Sequence, residues 1–242
     1  MSELVIEKVT KSFADKKVLE DISFTVKEGE FVSLLGPSGS GKSTLFHLIG
    51  GMYSPDSGAF YLDGKKINGK RGAISYTPQS SSLFPWRTIL DNVVLGAELF
   101  AKPNYDQARE MLEKAGLSGY ENAYPHQLSG GMRQRVAFVR SLLSPQSFIC
   151  LDEPFSSLDE FTRLEMQRWL LSIWEENRKS VLFVTHNIEE AIYLSDRIIV
   201  LSSNPATTKR EFTIPFARPR KEELLLSEEF LQWKKAVYQE LR

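Results

Sequence analysis

A chain of 242 residues, 42% hydrophobic and 25% charged, has the composition of a globular protein with room for a large core, in one domain or two subdomains. Lys plus Arg number 30 against 31 Asp plus Glu, and the formal charge of -1 argues against nucleic acid as the main partner. The single cysteine, Cys150, excludes an internal disulfide framework and a cysteine metal cluster, suits a reducing compartment and is expected in the interior.

Leu4 to Thr10 and Ile22 to Val26 alternate apolar with polar side chains, the period of half-buried strands, and are expected to pair antiparallel. Phe13, between them, has a ring face that could stack on an adenine; read locally it could equally be a core or edge aromatic. Lys27-Glu-Gly-Glu30 turns the chain into Glu30 to Leu35, an apolar run with the bulk of a buried strand. Directly after it, Gly36-Pro37-Ser38-Gly39-Ser40-Gly41-Lys42-Ser43-Thr44 fills every fixed position of G-x-x-x-x-G-K-[S/T], and Leu45 to Ile49 reads as the first turns of a helix. Glycines there let successive N–H groups point at one spot, and the helix N-terminus adds partial positive charge, so the loop cradles phosphate. Lys42 is expected as a point charge on the β- and γ-phosphates and Ser43 as a hydroxyl ligand of Mg²⁺.

Ser54-Pro-Asp-Ser-Gly58 punctuates the chain, and Ala59 to Leu62 is a strand running into an Asp63-Gly64 turn. Ile74 to Gln79 is expected as a short strand ending at Gln79, whose amide could reach Mg²⁺ or its water, or could simply be solvated. The loop that follows contains Leu83-Phe-Pro-Trp86. From Thr88 to Gly116 the apolar spacing of Ile89, Val93, Ala108, Met111, Leu112 and Ala115 is helical, interrupted at Lys102-Pro-Asn104. Ser129 can cap a helix beginning after Gly130 and Gly131; the stretch is either a second anion site or no more than a capped helix start.

Phe148 to Leu151 is an apolar strand that ends in Asp152 and Glu153. Strand side chains alternate, so the two acids cannot do the same job: one can hold Mg²⁺ through water while the other faces an attacking water. Ser156 to Asp159 opens a helix with Phe161, Leu164, Met166, Trp169, Leu170, Ile173 and Trp174 on its apolar side. Val181 to Thr185 is a buried strand ending at His186, on the edge where parallel sheets place ligands; Asn187 to Leu194 is helical. Arg197 to Leu201 is the last core strand, with Glu211 to Ile214 beside it, and Arg218-Pro-Arg220 leads to a helix carrying Leu224, Leu225, Phe230, Leu231, Val237 and Leu241. No basic leader with an apolar stretch opens the sequence and no run of about eighteen apolar residues occurs, so the expectation is a chain neither secreted nor spanning a membrane by itself.

With these motifs in order, the chain resembles an ATP-binding cassette (ABC) transporter ATPase over nearly its full length. Gly36 to Ser43 looks like the Walker A loop, Gln79 the Q-loop glutamine, and Leu128-Ser-Gly-Gly-Met-Arg-Gln-Arg135 the signature that separates this family from other phosphate-loop proteins. Phe148 to Asp152 looks like Walker B with Glu153 as catalytic glutamate, Ser156 to Asp159 the D-loop and His186 the switch histidine. Leu83 to Trp86, Asp152-Glu-Pro-Phe155, Thr185-His-Asn-Ile-Glu-Glu-Ala191 and Arg218-Pro-Arg220 are similar to importer cassettes of the nitrate, sulfonate and taurine group. Two departures are Phe13, where the family often has tyrosine, and Phe138-Val-Arg-Ser-Leu142 in place of an alanine-rich run.

The resemblance implies an α/β phosphate-loop NTPase (RecA-like) fold: a mostly parallel sheet, a small antiparallel β subdomain and a helical insert, with residues 1–78 and 144–215 as core, 79–143 as helical subdomain and 216–242 as a C-terminal segment. It also implies ATP as substrate, Mg²⁺ held by Ser43, Gln79 and Asp152, and Glu153, His186 and Lys42 as catalytic groups. Two copies would face head to tail, so that Ser129, Gly130 and Gly131 of one reach the ATP on the other's phosphate loop. The expected partners are membrane permease subunits, received in a groove formed by Leu83 to Trp86 and the adjacent helical insert, unless Phe84 and Trp86 are core residues, and, indirectly, a solute-binding protein, at the cytoplasmic face of the membrane. Sulfonate, taurine, nitrate and a pyrimidine vitamin precursor are all open as solutes; a soluble cassette ATPase acting on nucleic acid or ribosomes is the competing expectation.

Overall fold

A computed structural model describes residues 2–203 and 205–241. Leu4–Phe13 (β1) and Lys16–Val26 (β2) form an antiparallel hairpin longer at the turn than alternation predicts, because register shifts and positive φ at Lys8 and Asp21 break the period of two inside it. Phe31–Leu35 (β3) is buried throughout and runs through the 36–41 loop into Lys42–Ile49 (α1). Ser57–Leu62 (β4) and Lys65–Lys66 (β5) turn about Asp63 and Gly64 and complete an antiparallel sheet of order β2-β1-β4-β5. Ser75–Thr77 (β6) stops before Gln79.

The chain then turns helical in Ile89–Glu98 (α2), Tyr105–Lys114 (α3) and Gly130–Leu143 (α4), capped by Thr88, Asn104 and Ser129, whose side-chain oxygens accept from backbone N–H groups of the first turn. Phe148–Asp152 (β7), Glu160–Asn177 (α5), Ser180–Val184 (β8), Ile188–Leu194 (α6), Arg197–Leu201 (β9), Thr208–Thr213 (β10) and Glu228–Glu240 (α7) follow. The second sheet has the order β10-β9-β3-β8-β7-β6, parallel except where β10 meets β9.

Both faces of that sheet are covered, which is why its central strands read as continuous apolar runs. Val32, Leu34, Cys150, Leu182 and Val184 face the side of α1, while Phe31, Leu35, Ile149, Leu151, Val181 and Phe183 face the side of α4 and α5. Because β3, β8 and β7 are parallel neighbours, the chain leaves all three at one edge, so Gly36, Glu153 and His186 emerge there together.

Two expectations for the helices need correction. Phe161 is 76% exposed and does not join the apolar side of α5, which buries Met166, Leu170, Leu171, Ile173 and Trp174; Leu164 and Trp169 are half-buried. Leu224 and Leu225 lie in a separate 3-10 turn, Glu222–Leu226, and α7 buries Phe230 and Val237 but leaves Leu231 exposed. Arg218 and Arg220 are more than an extended lead-in. The Arg218 guanidinium stacks on Trp174 and bonds Asp196, and buried Arg220 donates to the carbonyls of Ile192 and Tyr193, tying the C-terminal segment to the end of α6. Among the described residues no helix is long and apolar enough to cross a membrane.

Candidate functional site

The 36–44 loop curls around one ammonium group. Lys42 is buried, and its Nζ donates to the carbonyls of Gly36 and Pro37, each at 2.9 Å. Gly41 has φ +88°, and a Cβ there would meet Leu19 and Val18 within 2.9 Å, so only glycine fits. Val18, residues 38–44 and Glu153 line an open cleft at this point. Burial pulls the Lys42 pKa down, and the carboxylates of Glu153 and Asp152 oppose that shift. A buried cation whose partners are the neutral carbonyls of Gly36 and Pro37 and, at 3.5 Å, the Ser40 hydroxyl, at the N-terminus of α1, suits a polyphosphate anion.

Asp152 ends β7, where desolvation raises its pKa; Glu153 adds to the shift, while hydrogen bonds from Tyr76 and Ser43 and the nearby His47 oppose it. Tyr76 Oη donates to Asp152 Oδ2 at 3.1 Å, and burial together with this carboxylate pushes the Tyr76 pKa up. Among the described residues no three His, Cys, Asp or Glu side chains cluster to hold a metal alone. One buried carboxylate beside a serine hydroxyl instead fits Mg²⁺, which binds through one or two carboxylates and completes its shell with water and phosphate oxygens.

Glu153 is separated from Asp152 by more than strand alternation. Its φ of +44° takes it out of the sheet into left-handed backbone, at a cost on the order of 1 kcal/mol or more, while its N–H still bonds Val184 O at 2.9 Å. That turn brings Glu153 Oε2 to 3.1 Å from His186 Nδ1, on the exposed end of β8. Lys42, Asp152, Glu153, Ser43 and His186 are thus gathered at one sheet edge.

Other expected residues lie elsewhere. Gln79 does not line the phosphate-loop cleft: its Nε2 donates to Ser156 Oγ at 3.0 Å and its backbone carbonyl accepts from Gln134 Nε2 at 3.2 Å. Ser129 Oγ accepts from Met132 N at 3.3 Å; a Cβ on Gly131 would meet Thr162 Cγ2 at 3.1 Å, so the tip of α4 packs on its own chain's 158–162 segment, not on its own phosphate loop. Phe13 is 41% exposed at the end of β1, its ring 5.5 Å from and edge-on to Tyr53, and it does not line the cleft. Phe84 and Trp86 stack with centroids 5.0 Å apart and are both exposed, so they are not core residues.

Sequence reasoning missed Tyr76, because its partnership with Asp152 depends on β6 lying against β7 in the register Tyr76 to Cys150. It also missed Arg140, whose guanidinium donates to the carbonyls of Ser81 and Ser82 and ties the loop after Gln79 to α4.

Residues 19–156 match the family model described as ABC transporter. The chain is 39% identical to the aliphatic sulfonates import ATP-binding protein SsuB of Bacillus cereus, over 97% of this chain and 94% of that one. It is 43% identical to the formylaminopyrimidine import ATP-binding protein ThiZ of Halalkalibacterium halodurans, over 88% and 84% of the two chains. Its fold matches a solved dimeric post-hydrolysis state of the ATP-binding cassette MJ0796 bound to ADP and Pi, with a TM-score of 0.75, 33% identity and coverage of 88% and 100%.

Proposed function

The chain belongs to the ABC transporter family, and from that premise we propose that it is the ATP-binding and ATP-hydrolysing subunit of an importer, driving uptake of a small solute through a separate permease. The observation that carries the catalytic part is the meeting, at 3.1 Å, of His186 with Glu153, which lines the cleft of the Lys42 loop.

In this reading the 36–44 backbone binds the phosphates and Lys42 gives up its carbonyl partners to take the β- and γ-phosphate charge. Glu153 holds and polarises the attacking water, and His186 orients the Glu153 carboxylate and faces the γ-phosphate. Ser43 and Asp152 would hold Mg²⁺, which supplies charge neutralisation on the phosphates; Gln79 joins them only by releasing Ser156. Phe13 offers its exposed ring to the adenine.

Ser129, Gly130 and Gly131 serve the nucleotide of a second copy, since they lie away from their own phosphate loop and the related cassette with ADP and Pi is dimeric. The stacked, exposed pair Phe84 and Trp86, next to the helical segment 79–143, is the platform for a permease helix, which would hold the chain at the cytoplasmic face of the membrane. A solute-binding protein is implied by import alone; the named relatives differ in solute, aliphatic sulfonates for one and formylaminopyrimidine for the other, and taurine and nitrate stand beside these as candidates. The test is Mg²⁺-dependent ATP hydrolysis by the purified chain, alone and with the permease reconstituted in vesicles; no turnover in either would end this reading.

A further inference from the structure

Behind the Glu153–His186 pair lies a second pair, buried Glu190 and half-buried Arg163. Glu190, in the first turn of α6, is 5% exposed, and its carboxylate accepts the hydroxyl of Thr185, the residue before His186. The same hydroxyl oxygen accepts the N–H of Asn187 at 3.0 Å, and Asn187 Oδ1 accepts from Glu189 N and Glu190 N. The residues on both sides of His186 are therefore fastened to Glu190. On its other side Glu190 faces α5: Arg163 Nε is 3.6 Å from Glu190 Oε1, buried and without a hydrogen-bond partner of its own, and buried Gln167 also bonds the carboxylate. Arg163 Nη2 in turn donates to Leu158 O at 2.8 Å. Leu158 belongs to the turn that starts at Glu153, where Ser156 Oγ donates to Glu153 O at 2.9 Å.

The loops after β7 and β8 each carry one member of the catalytic pair, and among the described contacts this path of hydrogen bonds, completed by the Arg163–Glu190 ion pair, joins them from behind. We infer that Arg163 and Glu190 are positioning residues that set His186 against Glu153, a conclusion that rests on the hydrolytic reading above. A guanidinium can reach a carbonyl and a carboxylate at once through its fork; an ammonium cannot make both contacts with the same geometry. Removing the Arg163 charge leaves the Glu190 carboxylate buried and uncompensated, so the Thr185–Asn187 loop must move or the carboxylate must take a proton. Either change displaces His186, without touching the phosphate loop.

The experiment compares the full-length wild-type chain with Arg163→Met, which keeps the aliphatic stem, Arg163→Lys and Glu190→Gln. Steady-state ATP hydrolysis is read together with the imidazole ¹⁵N resonances of the three histidines, His47, His126 and His186. A displacement of catalytic groups predicts a kcat loss on the order of tenfold to a hundredfold in Arg163→Met and Glu190→Gln. KM for ATP should stay within about twofold, since uniform binding is untouched. The His186 resonances alone should move, and Arg163→Lys should recover part of both changes. Unchanged kcat, a loss shared with ATP binding, or resonances that move for all three histidines or for none would overturn the inference. Wild-type turnover separately tests the hydrolytic reading, and the His186 resonances remain readable without it.

Discussion

His186 Nδ1 lies 3.1 Å from Glu153 Oε2, and the two residues sit on adjoining parallel strand ends, with Asp152 paired to Val184 in the register that brings them level. Glu153 also lines the cleft of the phosphate-binding loop, so this contact sets an imidazole beside a carboxylate of that cleft.

Lys42→Ala is expected to lower ATP turnover by on the order of a hundredfold or more, because the phosphates lose a buried point charge that is most valuable in the transition state. Steady-state hydrolysis by the purified variant checks this. Near-normal rates would place the site elsewhere.

Glu153→Gln is expected to turn a transient dimer into a stable, ATP-dependent one. The neutral isostere leaves Asp152 and Ser43 in place, so nucleotide still binds, but the attacking water loses its carboxylate and the closed state accumulates. Size-exclusion chromatography with ATP, and separately with ADP, reads the outcome; a monomeric profile in both would falsify the shared-site arrangement.

Trp86→Ala is expected to weaken association with the permease while leaving the isolated chain folded, since Trp86 is 71% exposed and its ring stacks on exposed Phe84. Thermal unfolding and permease pull-down separate the two effects. A large drop in melting temperature with undiminished association would contradict the docking role.

Cys150 should resist thiol reagents in the native chain at mildly alkaline pH. It is fully buried in β7, and desolvation, with Asp152 adding to it, holds the thiol well above its ordinary pKa, so the reactive thiolate is scarce as well as inaccessible. Labelling that is slow in buffer and complete in denaturant is the expected result. Rapid native labelling would show that β7 opens readily.

What the sequence by itself determined was everything written in neighbouring residues. The phosphate loop is one contiguous run whose glycines and lysine make the cradle by their own backbone geometry, and the apolar runs of β3, β7 and β8 announce strands buried on both faces. The helix capped by Ser129 is equally local, because an N-cap joins a side chain to an N–H three residues ahead. Tertiary structure decided what lies between strands. Strand order brought Tyr76 to Asp152 and His186 to Glu153, turned Gln79 toward Ser156, and joined Arg163 to Glu190 across two helices. It also left Phe161 in solvent, although helical spacing alone puts an apolar residue there on the buried side. Spacing along a chain encodes the faces of a single element, whereas sheet order and the left-handed turn at Glu153 arise only when many elements bury their apolar faces together, and that packing chooses which side chains meet.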